Sequence, residues 1–85
     1  LAERTVVVAS QVGLHARPAM LFTQAVAASG APVTIGRPGA ARVDASSILF
    51  VMSLGVGGGE EVVLESPDEA ALEQLVALLA TDLDA

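Results

Sequence analysis

The 85-residue sequence contains no cysteine, no lysine, no tryptophan and no tyrosine, and its only aromatic residues are Phe22 and Phe50. Without cysteine there are no disulfide staples and no thiolate metal sites, so the fold must stand on packing alone. One histidine, His15, among scattered carboxylates offers no zinc-binding set either. Without lysine, the positive charge reduces to Arg4, Arg17, Arg37 and Arg42 against ten Asp and Glu residues, a formal net charge of -6. Such a surface excludes nucleic acid as the main partner, because phosphate-backbone binding needs dense positive charge. Apolar runs of roughly 18 to 20 residues, the length of a membrane span, are also missing, which excludes membrane insertion by a helix. The opening LAERTVVV lacks the basic start and cleavage site of a secretory signal, and the expectation is a cytoplasmic protein.

What is present suits one small domain over residues 1–85, with no internal repeat or linker. Thr5 to Ala9 is a β-branched run read as a strand, and Ser10 to Leu14 reads as a loop. Ala16 to Ala28 carries Ala19, Phe22, Ala25 and Val26 at helical spacing, with Pro18 in the first turn and Ser29-Gly30 as the stop. Pro32 to Ile35 and Arg42 to Ala45 read as a hairpin joined by GRPGAA. Ser46-Ser47 then caps ILFVMSL, a short helix rather than a strand. Gly55 to Gly59 (GVGGG) is a connector: a phosphate-binding P-loop would need the lysine this chain lacks. Glu60 to Glu65 is the fourth strand. Ser66 is expected as N-cap of the last helix, with Pro67 at its first position and Glu69 completing a capping box, ahead of a core stripe of Leu72, Leu75, Val76 and Leu79. The order is β-α-β-β-α-β-α, and its short connections favour an antiparallel sheet with helices on one face.

The stretch GLHARPA, Gly13 to Ala19, puts the sole histidine where the loop passes into the first helix. A lone histidine is ordinarily a structural residue, exposed or hydrogen-bonded. Here its setting argues for chemistry. The first amides of a helix have no partners inside it, and the macrodipole adds partial positive charge, so an anion is stabilised there by bonds and field together. An imidazole at such a cap can act as nucleophile towards a phosphoryl group, with backbone amides and the Arg17 guanidinium gathering the oxygens. The competing reading is a histidine that only caps the helix or binds an anion.

SSILFVM carries a second candidate. Either serine serves as a cap, and phosphorylation there would set close to two negative charges beside Ile48, Leu49 and Met52. A helix this short cannot bury every face in so small a domain, so part of the stretch should remain exposed as a partner patch.

GLHARPA followed by SSILFVMSLG closely resembles the histidine-containing phosphocarrier (HPr) family of the bacterial phosphoenolpyruvate-dependent sugar phosphotransferase system, and the resemblance spans essentially the whole chain. It implies an α+β fold, an open-faced β-sandwich in which three helices cover one face of a four-stranded antiparallel sheet (βαββαβα). It implies that His15 is the phosphoryl acceptor, modified on Nδ1, and that Arg17 stabilises the phosphate. The family's regulatory serine corresponds to Ser47 rather than Ser46. The docking surface would comprise Ala16, Met20, Ile48, Leu49 and Met52. Two residues depart from the pattern: Val12 stands where a small polar residue often steadies the loop, and Phe50 is unusual for a position expected near the surface.

The leading expectation is therefore a monomeric, cytoplasmic phosphocarrier without cofactor or metal, charged by Enzyme I and discharged to IIA components of sugar permeases. It would act as a co-substrate rather than an enzyme. A serine kinase or phosphatase and their regulators are further partners that Ser47 implies. Two alternatives are a regulatory binding protein on the same fold that signals through Ser47, and a plain anion-binding module without covalent chemistry.

Overall fold

The computed structural model describes residues 1–82. Its elements run β1 (Ala2–Val7), α1 (Ala16–Ser29), β2 (Thr34–Gly36), β3 (Val43–Asp44), α2 (Ile48–Ser53), β4 (Glu61–Ser66) and α3 (Glu69–Leu79). The strands form one sheet in the order β1-β4-β2-β3, antiparallel throughout. The expected order of elements and the β2–β3 hairpin are both present. β1 begins earlier than the β-branched run indicates: Ala2, Glu3 and Arg4 pair with Ser66, Glu65 and Leu64, so the last strand recruits polar residues whose own propensity is weak.

Alternation along the strands explains the one-sided core. Val62, Leu64 and Ser66 of the central strand β4 face the helices and are buried, as are their neighbours Val6 and Ile35. Thr5 and Glu3 alternate to the opposite, solvent-facing side of β1. Phe22, Val26, Leu72, Leu75 and Leu79 from the helices complete the core with Leu14, Val51 and Val56. With only one aromatic residue inside, this core is built mainly from Leu, Val and Ile, whose volumes must match closely to fill it.

α1 buries Pro18, Ala19, Phe22, Thr23 and Val26, with Ala25 half-buried beside them against the core, and Thr23 is an inward residue that the apolar spacing does not mark. Thr23 is tolerated there because its hydroxyl donates to the Met20 carbonyl at 3.1 Å. Gly30 ends the helix in the left-handed conformation, φ 69°, as the Ser29-Gly30 signal indicates.

The start of α3 departs from expectation. Ser66 is not the N-cap: it still belongs to β4, paired with Ala2, and its buried hydroxyl accepts the Asp68 amide at 3.1 Å. Asp68 caps the helix instead, its carboxylate accepting the Ala71 amide at 3.1 Å. Sheet pairing holds Ser66 in register, and the next residue able to cap lies two positions on. Glu69, displaced from a capping box, pairs with Arg4 at 3.3 Å, and Glu73 pairs with the same guanidinium at 2.9 Å, tying α3 to β1.

Candidate functional site

The approach to His15 is fixed by the backbone. Ser10, Gln11, Val12 and Gly13 make a turn closed by the Gly13 amide donating to the Ser10 carbonyl at 3.0 Å. Leu14 is fully buried and donates its amide to the Val56 carbonyl at 3.0 Å. Gly13 has φ 72°, and a β-carbon there would lie 2.1 Å from the same Val56 oxygen, so glycine is required by both conformation and space. Gly58 faces the turn from the other side, where a β-carbon would sit 2.6 Å from the Ser10 carbonyl and 2.7 Å from that of Gln11. The GVGGG segment is thus more than a flexible connector: it is the wall against which the histidine loop is built.

His15 follows as the N-cap of α1, extended at φ -131° and ψ 159°, with its carbonyl accepting the first helical amide, that of Ala19, at 3.5 Å. Its side chain is exposed and makes no capping hydrogen bond, so His15 occupies the N-cap position without its imidazole bonding a helix amide. The imidazole stands at the mouth of a helix whose first-turn amides have no carbonyl partners within the helix. No acidic residue occupies that turn to compete for an incoming anion. Ala16 adopts φ 50°, in the left-handed region, a conformation that costs a non-glycine residue on the order of 1 kcal/mol and persists only where the surroundings enforce it. Arg17 follows at once and is exposed.

Met20, one turn along α1, is exposed, and α1 packs beside α2. α2 buries Val51 alone, leaving Ile48, Leu49, Phe50 and Met52 exposed, Leu49 to 78%. The expected partial exposure of ILFVM is therefore present, and Phe50 extends the apolar surface instead of packing inward. Val12 is also exposed and supplies no polar group, so backbone hydrogen bonds and glycine contacts steady the loop. Ser47 is the N-cap of α2, its hydroxyl accepting the Phe50 amide at 3.4 Å. Ser46 instead donates both its amide and hydroxyl to Asp44, at 2.9 and 2.7 Å, and these bonds hold the Asp44 carboxyl below the usual range. The C-terminal end of α2 leads through Leu54 and Gly55 into Val56 and the histidine loop, so Ser47 opens the far end, about 9 Å away along the helix axis.

Two residues without any sequence signal of function also bear on this region. Arg37 donates to the carbonyls of Leu54 at 3.2 Å and Gly55 at 2.8 Å, and its guanidinium forms an ion pair with Glu60. Glu60 in turn accepts the Gly57 amide at 2.7 Å. The Arg37 hydrogen bond and then the Gly57 amide hold the Glu60 carboxyl below its ordinary value. A cavity of about 550 Å³ at the other end of α1, lined by Val26, Gly30, Ala31, Thr34, Arg42 and Asp44 among others, contains none of the predicted site residues. Among the described residues no cluster of histidine and carboxylate ligands could hold a metal, and no helix is long and apolar enough to cross a membrane.

An open-faced β-sandwich that presents an exposed histidine at a helix mouth has the architecture of a small phosphoryl carrier. The family model described as "PTS HPr component phosphorylation site" matches residues 2–81. The phosphocarrier protein HPr of Streptomyces coelicolor is 49% identical over 87 residues, covering 99% of this chain and 94% of that protein. HPr of Haloferax volcanii is 46% identical over 83 residues, with 93% of each covered. The crystal structure of HPr from Bacillus anthracis, 36% identical, superposes with a TM-score of 0.85 over 92% of this chain and 95% of that one. The chain belongs to the HPr family of the phosphotransferase system. It functions as a phosphocarrier rather than an enzyme, passing a phosphoryl group from Enzyme I to IIA components.

Proposed function

We propose that His15 is the residue that carries the phosphoryl group. The observation supporting this reading is an exposed imidazole that leaves the capping role unfilled at the mouth of α1. A ring nitrogen, taken here as Nδ1, attacks the phosphorus as the bond to the donor breaks, and the same nitrogen leaves when a IIA component accepts the group. Arg17 and the amides of the first turn neutralise the equatorial oxygens, which bear the charge in phosphoryl transfer. Little other machinery is required, since positioning and electrostatics dominate the reaction and the larger partners contribute much of both.

Docking to Enzyme I and IIA uses Ala16 and Met20 of α1 with Ile48, Leu49 and Met52 of α2. This small apolar patch beside one guanidinium suits the brief contacts of a carrier that visits successive partners through one surface. Ser47 is a regulatory phosphorylation site: a phosphate on its hydroxyl would place close to two negative charges against that patch. A serine kinase and phosphatase are the corresponding partners. The working unit is a monomeric single domain, residues 1–85, acting in the cytoplasm.

Incubation with phosphoenolpyruvate and active Enzyme I should give an acid-labile, alkali-stable phosphoryl adduct. His15→Ala should abolish it, and Arg17→Ala should slow its formation with the fold intact. Normal labelling of the His15→Ala protein would show that the nucleophile is another residue.

A further inference from the structure

The hydrogen bonds around Arg37 connect a residue just after β2 to the backbone that sets the position of His15. The guanidinium donates Nε to the Leu54 carbonyl at 3.2 Å and Nη2 to the Gly55 carbonyl at 2.8 Å, while Nη1 binds Glu60 Oε2. Glu60 Oε1 accepts the Gly57 amide at 2.7 Å. Arg37 and Glu60 thus bridge the two ends of segment 54–60 across its base, and the segment between them has four glycines, at 55, 57, 58 and 59, and little stiffness of its own.

From this bridge the connection to the histidine is short. Val56, next to Gly55, supplies the carbonyl that accepts the Leu14 amide at 3.0 Å, and Leu14 precedes His15. Gly59 donates to the Val8 carbonyl at 2.8 Å, and Val8 donates to that of Glu60 at 2.9 Å, fixing the other end of the segment to the strand that enters the histidine loop. Between these bonds the carbonyls of Ser10 and Gln11 lie against Gly58. Directly beyond His15 stands Ala16 at φ 50°, a conformation that would relax if the wall behind Leu14 moved.

We infer that Arg37 and Glu60 form a latch that holds the glycine segment 55–59 in place and through it positions His15 for phosphoryl transfer. Both are positioning residues: neither touches the reacting atoms, and their influence passes through the Val56 carbonyl and the Leu14 amide. The multi-acceptor geometry requires arginine, because an ammonium could not span two carbonyls and a carboxylate with comparable alignment. This inference rests on the reading of His15 as the phosphoryl acceptor.

The test uses the full chain with Arg37→Gln and Glu60→Gln, the latter able to retain its carbonyl oxygen as acceptor for the Gly57 amide while replacing the carboxylate oxygen that faces Arg37 with an NH2 donor, which breaks the ion pair. Steady-state transfer from Enzyme I, with the carrier as varied substrate, separates kcat from KM, and amide hydrogen exchange reports on Leu14. For a latch, kcat falls by about tenfold or more while KM stays within about twofold, since the docking surface is untouched. Leu14 exchange should accelerate by about tenfold as the segment opens locally. Should Arg37→Gln fail to fold, the milder Glu60→Gln decides. If the folded variants lose melting temperature but keep kcat and Leu14 exchange within about twofold of the original protein, the pair is only a structural brace and the latch is overturned. Failure of the unaltered protein to accept phosphate on His15 overturns the underlying reading as well, so the two failures are distinguishable.

Discussion

The Leu14 amide and the Val56 carbonyl meet at 3.0 Å, joining the loop that precedes His15 to the segment that follows α2. Two stretches more than forty residues apart in sequence are brought together there, and the approach is close enough that Gly13 has no space for a β-carbon. Gly13→Ala should therefore cost about 2 kcal/mol or more, combining a left-handed φ with a clash against backbone that cannot rotate away. Chemical denaturation measures this directly. Gly39→Ala is the comparison: it shares a positive φ of 77° but has open space around it, so its loss should be smaller.

Leu49 is 78% exposed and contributes nothing to the core. Leu49→Asp should leave stability within about 0.5 kcal/mol and raise the KM for transfer from Enzyme I by about tenfold, because a charge would be buried in the docked complex. An unchanged KM would remove Leu49 from the docking surface.

Ser47→Ala removes the N-cap of α2. Its hydrogen bond is long, 3.4 Å, and exposed, so the loss should fall at the low end for caps, about 0.5 kcal/mol. Ser46→Ala instead releases one of the Asp44 bonds and leaves the cap intact. Thermal denaturation of the two variants, with helix content followed by circular dichroism, distinguishes the roles of the adjacent serines.

The ionic contact between Arg37 and Glu60 gives a pH dependence of defined sign. The Glu60 carboxyl is held below its ordinary value by Arg37 first and the Gly57 amide second. A depressed folded-state pKa stabilises the protein above the unfolded carboxylate range, near pH 4.3, and the contribution is lost as pH falls through the folded value. The stability difference between the original protein and Glu60→Gln should be constant near neutrality and shrink steadily below about pH 4.5. Melting curves across that interval provide the check, and a gap that widened on acidification would contradict the assigned direction.

How much of this was legible before folding depends on whether the information was local. Element order, the Gly30 stop, a serine cap ahead of ILFVMSL and the setting of His15 all follow from neighbours within a few residues, and each is present in the structure, which assigns the cap to Ser47 of the two adjacent serines. The misplaced cap of α3 had a non-local cause: pairing with Ala2 keeps Ser66 in the sheet, and nothing near Ser66 in sequence reveals that partner. Arg37 and Glu60 were invisible for the same reason, being 23 residues apart with no motif between them. GVGGG reads as a connector because a glycine's need for close backbone approach appears only once the opposing carbonyls of Ser10, Gln11 and Val56 are in position. The exposed state of Phe50 likewise follows from which face of α2 Val51 turns inward.

Intact-protein mass spectrometry after incubation with phosphoenolpyruvate and Enzyme I reads out directly whether His15 carries the phosphoryl group. One phosphoryl group should be gained at neutral pH, mapped to His15, lost after brief acid treatment and retained in alkali. A protein that remains unmodified beside an Enzyme I shown to be active, or that carries the group on another residue, would show that His15 is not the phosphoryl acceptor.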